Sequence, residues 1–242
     1  SMEIKNIKKE FPIFKQKING KPLVYLDSAN SSQKPKVVID KISNFYETEF
    51  SNVGRSVHTL AVKATNRFEA VRDKVKQYIN AKHREEIIFT KGATEGINLV
   101  ASSFGKKYIN KGDEILVTEL EHHSNYVPWH YLRSEKGAVI KFAQVNSDGD
   151  VEIDEIKKQI TNKTKIIAIT HISNVTGAVL PITKIVDLAK ERNIPVLIDG
   201  TQGAPHSHID MQKIGCDFYA ISCHKMYGPN GLGILYMKKK NG

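Results

Sequence analysis

From residue 86 onward the chain alternates between two patterns. Short apolar runs recur, "EIIFT", "EILVT", "AVIKFA", "KIIAIT", "PVLIDG" and "DFYAIS", and stretches with apolar residues at helical spacing separate most of them. In "TEGINLVASSFGKKY", Ile97, Val100, Ala101, Phe104 and Tyr108 fall on one helical face. In "PITKIVDLAKERN", Ile182, Ile185, Val186 and Ala189 do the same, opened by Pro181 and closed near Asn193. A strand that is apolar along its whole length is buried on both faces, and helical connections return each strand in the same direction. The expected fold is therefore α/β, a mainly parallel sheet with helices on both faces. The last run, "GLGILYM", comes too soon after "DFYAIS" for a helical crossover, so it returns antiparallel or leaves the sheet. Before about residue 56 the chain reads as short helical pieces around "KPLVYLDSANSSQKP", where a β-prone run breaks at Asp27. Two helical patterns come next, around 35–50 and 60–79. The organisation read from this is an N-terminal segment, 1–22, and one large domain, 23–242.

With 40% hydrophobic and 26% charged residues over 242 positions, the chain can bury a real core. The formal charge of +10 raises the question of nucleic acid. The lysines, however, scatter over helix faces and loops, as in "DEIKKQITNKTK", with no aromatic residues interleaved. That pattern argues against a nucleic-acid partner and for solvated faces that attract anionic small molecules. No apolar run reaches the length of a membrane span, and no membrane role is expected. Two cysteines, Cys216 and Cys223, are too few for a disulfide framework, which fits a reducing, cytoplasmic setting.

Ligands of open α/β sheets bind beyond the carboxyl ends of the strands. The stretches just past the apolar runs are "KGATEG", "ELEHHSN", "HISNVTG", "GTQGAP" after Asp199, and "CHKMYGP" after "DFYAIS". One sheet edge thus gathers a helix start, histidines, an amide, a carboxylate, a glutamine and a lysine. Each has a use if the ligand is an aromatic aldehyde phosphate. Gly92, Ala93 and Thr94 can offer backbone N–H groups to the phosphate, with Ser222 and His224 in reach of it. Asp199 can keep a pyridine nitrogen protonated, which makes the ring an electron sink. Lys225 can form an imine with the aldehyde if its pKa falls enough to free the amine. His123 can cover the ring, and Gln202 and Asn174 can hydrogen-bond its hydroxyl. These features describe pyridoxal 5′-phosphate held covalently. Plainer readings stand beside each: Asp199 also suits a turn cap before Gly200, and "GATEG" a simple helix start. The pairs His122–His123 and His206/His208 have no third ligand at a fixed spacing, so no metal is expected.

The stretches "YLDSANSSQKP", "GRSVHTLA", "KGATEGINLVA", "ELEHHSNYVPW", "THISNVTG", "VLIDGTQ" and "SCHKMYGPNGLGILY" resemble, in order, the SufS-type cysteine desulfurases of the class V aminotransferase superfamily. The resemblance runs from about residue 23 to 237. It implies the large domain of the fold-type I pyridoxal-phosphate transferases, with Lys225 as Schiff-base lysine, Asp199 as partner of the pyridine nitrogen and His123 as stacking acid/base. Ala93, Thr94, Asn174, Gln202, Ser222 and His224 match cofactor-binding positions. Ala29, Arg55 and His58 match the substrate side. The implied reaction takes L-cysteine to L-alanine, leaves a persulfide on the enzyme, and passes the sulfur to a SufE- or SufU-like acceptor for iron–sulfur cluster assembly. A homodimer is implied as well.

The family's persulfide cysteine and its carboxylate-binding arginine belong to a C-terminal small domain. This chain is expected to lack that domain and so not to complete turnover. Gly54 stands where histidine is usual, Asn30 where alanine is common, Ala93 where threonine is frequent, and Cys223 where glycine is usual. Selenocysteine lyase, another class V enzyme (aminotransferase, epimerase or kynureninase-like), and a non-catalytic fragment remain open as alternatives.

Overall fold

In the computed structural model, which describes residues 3–240, the N-terminal part is a short helix (Ile4–Lys9), a 3-10 turn (Pro12–Lys15) and a small antiparallel hairpin. The hairpin pairs β1 (Lys17–Ile18) with β2 (Lys21–Pro22) around Asn19 and Gly20, both at positive φ. The remaining strands are β3 (Ile87–Thr90), β4 (Glu114–Thr118), β5 (Val139–Ala143), β6 (Thr164–Thr170), β7 (Val196–Asp199), β8 (Phe218–Ser222) and β9 (Gly233–Met237). They form one seven-stranded sheet in the order β3-β9-β8-β7-β6-β4-β5. Every pairing from β8 to β5 is parallel. The final strand, β9, returns antiparallel and inserts between β8 and β3.

Alternation along the central strands feeds two separate cores. Ile166, Ala168, Leu197, Phe218 and Ala220 pack on one face, under the helices Ala93–Val100 and Val127–Lys136. Ile167, Ile169, Ile198, Tyr219 and Ile221 pack on the other, against Ile185, Val186 and Ala189 of the helix Ile182–Lys190. This is the two-sided burial that all-apolar strands require. The long helices at Lys36–Thr48 and Thr59–Tyr78 match the periodic stretches, and Asn193 ends its helix region at φ 55°.

Three local expectations are corrected. The helix from Ala93 does not run on with one apolar face, because it passes into a π turn at Ala101–Gly105. The extra residue in that turn shifts the helical phase, and Tyr108 ends up exposed. The β-prone run before Asp27 forms no strand: beyond Pro22 the chain is irregular, and Val24 and Leu26 are exposed. A strand needs a paired edge, and among the described residues none is offered there. Finally, "AVIKFA" is a strand but lies at the sheet edge, so Val139 and Phe142 face solvent.

The start of β9 passes directly over the residue that opens the helix Ala93–Val100. A Cβ at Gly233 would lie 2.5 Å from the Cα of Gly92 and 2.7 Å from the carbonyl oxygen of Ile221. Both neighbours are backbone and cannot swing aside. Gly233→Ala should therefore lower unfolding free energy in urea by about 1–3 kcal/mol, the cost of overpacking a closed site. An unchanged urea midpoint would contradict this packing.

Candidate active site

Strand parity decides what faces the ligand side. Thr170, Asp199 and Ser222 each lie two residues beyond a residue of the core under the helix Ala93–Val100: Ala168, Leu197 and Ala220. They therefore emerge on that face, at the carboxyl ends of three adjacent strands. Register brings Thr170 level with Asp199 and Asp199 level with Ala220, so Ser222 stands two residues further out on the same face. A cleft of about 280 Å³ opens above them. Eight of the anticipated residues line it: Ala93, Thr94, Asn174, Asp199, Gln202, Ser222, His224 and Lys225.

The helix at one wall begins at Ala93. Ser222 Oγ accepts from the N–H of Ala93 at 2.8 Å, and Gly92 donates to Thr90 Oγ1 at 3.3 Å. Of the three N–H groups read from the sequence, two are thus engaged within the protein. The first-turn groups with no intrahelical acceptor are those of Thr94 and Glu95, the latter absent from the sequence-based set. A helix N-terminus with two such donors suits a phosphate.

Asp199 is 3% exposed. Its Oδ1 accepts from the Thr201 N–H at 3.1 Å and the Thr201 hydroxyl at 2.5 Å. The turn-cap reading of Asp199 therefore holds together with the cleft reading, because both bonds fall on one oxygen and among the described residues Oδ2 takes none. Lys225 stands on a 3-10 turn, Cys223–Lys225, directly after β8. Burial lowers its pKa, opposed by the charge of Asp199. The same desolvation, with Lys225 and Lys34 adding to it, lowers that of His224. An amine held below its ordinary range keeps more of the nucleophilic free base near neutral pH. Gln202 is fixed by donating from Nε2 to the carbonyl of Ala29 at 2.8 Å. Two N–H donors without a partner among the described residues, a buried carboxylate oxygen, a Gln202 amide fixed by Ala29 and a desolvated amine fit the groups of pyridoxal 5′-phosphate.

Other anticipated residues are placed differently. His123 is exposed on the turn His123–Asn125 and does not line the cleft; its neighbour His122, also exposed, does, with its Nδ1 2.7 Å from Ser124 Oγ. Ala29 contributes its carbonyl to Gln202, and its neighbour Asn30 lines the cleft. Arg55 is exposed, and His58 caps the helix Thr59–Tyr78 by accepting from Ala61 N–H at 3.3 Å. Neither lines the cleft. Thr170, Ile172 and Thr201 also line it, beyond the sequence-based set; for Thr201, the spacing of two after an aspartate is a readable turn signal.

Behind the histidine turn lies a carboxyl group that the sequence pattern does not single out. Glu121 accepts from Thr118 Oγ1 at 2.6 Å, Asn125 Nδ2 at 2.8 Å and the Thr170 N–H at 3.1 Å. Trp129 Nε1 can only donate, and its 3.0 Å bond to Asn125 Oδ1 turns the Asn125 amide so that its NH₂ meets Glu121. Desolvation nonetheless dominates and pushes the Glu121 carboxyl up to about 8, with three hydrogen bonds pulling down and Asp199 adding a little upward. A folded-state pKa above the unfolded one favours folding below the unfolded value, and that contribution drains as pH rises through the folded value. Cofactor-free protein should therefore lose stability between about pH 5 and pH 8, and Glu121→Gln should flatten that loss in pH-dependent thermal melts. Parallel profiles for the two proteins would show Glu121 ionised throughout.

Comparison with known proteins bears on the same residues. The sequence pattern of the class-V aminotransferase family matches residues 24–242. A probable cysteine desulfurase of Halalkalibacterium halodurans is 48% identical over 238 residues, covering 98% of this chain and 59% of the relative. A cysteine desulfurase of Serratia proteamaculans is 48% identical over 236 residues, covering 98% and 58%. Among solved structures, the cysteine desulfurase CsdA from Escherichia coli aligns with TM-score 0.86 at 36% identity, and a cysteine desulfurase from Thermococcus onnurineus NA1 with 0.91 at 32%. These alignments cover 98% and 99% of this chain and 58% of each structure. The chain thus spans somewhat over half the length of the proteins it matches.

Proposed function

Because the chain belongs to the class-V aminotransferase family, we propose that it is the cofactor-binding large domain of a pyridoxal-phosphate-dependent cysteine desulfurase of SufS type. The observation that carries this reading is the meeting of Lys225 and Asp199 in one cleft, beside a helix start with free N–H groups. Related chains named cysteine desulfurase support it.

In this reading, residues 1–22 are an N-terminal segment and 23–242 fold as the large domain. Bound in the cleft, the pyridoxal ring would serve as an electron sink for bonds broken on the amino acid. The chain's own residues do the rest. The Thr94 and Glu95 N–H groups, Ser222 and His224 would hold the phosphate. Asp199 Oδ2 would accept from a protonated ring nitrogen, and Thr201 keeps that carboxylate oriented. Asn174 and Gln202 would orient the ring hydroxyl. Lys225 would supply the anchoring amine and a base for the substrate's α-proton, and its lowered pKa suits both tasks. His123, or its neighbour His122, would cover the ring. The net reaction is L-cysteine plus an enzyme thiol giving L-alanine plus an enzyme persulfide: the substrate's C–S bond breaks, its sulfur bonds to the thiol sulfur, and a proton takes its place on carbon.

Neither thiol of this chain is suited to receive the sulfur. Burial pushes the pKa of Cys216 up strongly and that of Cys223 up as well, with Lys34 only partly offsetting the latter. A thiol kept protonated is a poor nucleophile, so the acceptor thiol is assigned to the part of the protein that this chain does not span. Exposed Val53, Val57 and Leu60 around Arg55 and His58 support a homodimer in which this loop reaches a second copy's cleft. A SufE- or SufU-like acceptor, iron–sulfur cluster assembly and a cytoplasmic setting complete the proposal. No helix among the described residues is long and apolar enough to cross a membrane.

Borohydride treatment of protein loaded with pyridoxal 5′-phosphate should fix the cofactor to the peptide carrying Lys225, read by mass spectrometry. Lys225→Ala should give no adduct there, and an adduct elsewhere in the wild type would overturn the assignment. In the full-length protein, cysteine should yield alanine, and Lys225→Ala should slow this by at least about 10²–10⁴-fold, the range for loss of general acid–base catalysis. Alanine formation at the wild-type rate would exclude Lys225 from the chemistry.

A further inference from the structure

The turn that carries Lys225 is held from outside by a segment almost two hundred residues earlier. The carbonyl oxygen of His224, in the peptide that joins it to Lys225, faces four donors: Lys34 Nζ at 2.8 Å, the Ser32 N–H at 3.0 Å, Ser32 Oγ at 3.0 Å and Ser31 Oγ at 3.2 Å. Ser32 Oγ also accepts from the N–H of Tyr227 at 2.8 Å, and His224 Nδ1 lies 3.2 Å from Ser31 Oγ. Ser32 is buried. A carbonyl oxygen has two lone pairs, so four converging donors exceed what a single bond of the turn requires.

The geometry being held is a costly one. Tyr227 adopts φ 67°, a left-handed conformation that bulky side chains rarely take. The turn closes on itself through Met226 N–H and Gly228 N–H, which both donate to the Cys223 carbonyl at 3.0 and 2.9 Å. A Cβ at Gly228 would come within 2.9 Å of Cys223 Cβ. Phe11 packs edge-on against the Tyr227 ring at 5.7 Å. Strain of this kind persists only where the surroundings over-determine it.

We propose that Ser32 and Lys34 are positioning residues for Lys225, clamping the His224 carbonyl and the Tyr227 N–H so that the strained turn presents the lysine amine to the cleft. The clamp stands on contacts within the chain; only its consequence for cofactor binding rests on the function proposed above. Releasing it lets the turn relax away from the left-handed conformation, and the amine gains water. Around that amine, Asp199 favours the charged form, while burial disfavours it. Lys34 and Lys225 both act against protonation of His224, and Lys34 offsets part of the rise that burial gives the pKa of Cys223. Loss of burial dominates among these, and Lys225 becomes a more ordinary lysine.

The test is competitive labelling with acetic anhydride across pH, with the Lys225 peptide read by mass spectrometry, on this chain without cofactor. Lys34→Met, Ser32→Ala and Lys34→Arg are compared with the wild type, and circular dichroism checks their folding. The clamp predicts that the labelling midpoint of Lys225 rises by about half a pH unit or more in Lys34→Met and Ser32→Ala, and that Lys34→Arg, which keeps a donor, returns it toward wild type. Cofactor-loaded protein should show the matching change, a shifted pH midpoint of its visible absorbance. A folded Lys34→Met with an unmoved midpoint overturns the proposal, as does lowered thermal stability with no change at Lys225. Should Ser32→Ala not fold, Lys34→Met alone decides. If the wild type takes up no pyridoxal phosphate, the functional reading fails, and the labelling result still decides the clamp.

Discussion

The structure depends on an amine and a carboxylate brought into one partly dehydrated cleft by strands that run the same way. Lys225 and Asp199 come from elements adjacent in the sheet, the turn after β8 and β7, and the Asp199 charge opposes the burial that lowers the pKa of the Lys225 amine. Parallel pairing is what makes this possible. It puts the carboxyl ends of β4, β6, β7 and β8 at one edge, and parity turns Thr170, Asp199 and Ser222 to the same face of the sheet. The helix Ala93–Val100 lies over that face, so its N-terminus meets the same space. The antiparallel β9 closes the arrangement from the side, passing so near Gly92 that only glycine fits at its first position.

Much of this is legible in the sequence because it comes from local pattern. Apolar runs bounded by helices give a parallel sheet, and strand direction alone then fixes the ligand edge. Lys225, Asp199, Thr94, Asn174, Gln202, Ser222 and His224 are readable as residues at or just past strand ends, and they meet at the cleft. The illegible part depends on irregular turns and on contacts that close only when segments meet. Nothing near Glu121 in sequence says that its carboxyl group will be enclosed by Thr118, Asn125 and the backbone of Thr170. His122 lines the cleft and His123 does not, and the two sit at the start of one 3-10 turn that the sequence pattern does not announce. Tyr108 departs from its expected face because a π turn is invisible to a 3.6-residue period. The hairpin at Asn19 and Gly20 does carry a signal, an Asn-Gly pair, but strands of two residues leave no periodicity to support it.

The N-terminal region belongs to the site by the same reasoning. Between Pro22 and Asp27 the chain forms no strand, and the helix Lys36–Thr48 buries none of its side chains among the described residues. The connecting stretch between them is nonetheless tied to the far end of the chain, at Gln202 through Ala29 and at His224 through Ser31, Ser32 and Lys34. A segment with little secondary structure of its own is therefore ordered by the cleft, and it orders the cleft in return. The large net positive charge finds one local expression here, in the pairing of Lys34 with a carbonyl rather than with an acid.

The most direct test of the central claim is an experimental structure of the protein prepared with pyridoxal 5′-phosphate. The account predicts continuous density from Lys225 Nζ into the cofactor, with an Asp199 oxygen about 2.7–3.2 Å from the ring nitrogen. A ring bound elsewhere, or a Lys225 amine turned out to bulk solvent while Asp199 contacts only Thr201, would contradict it.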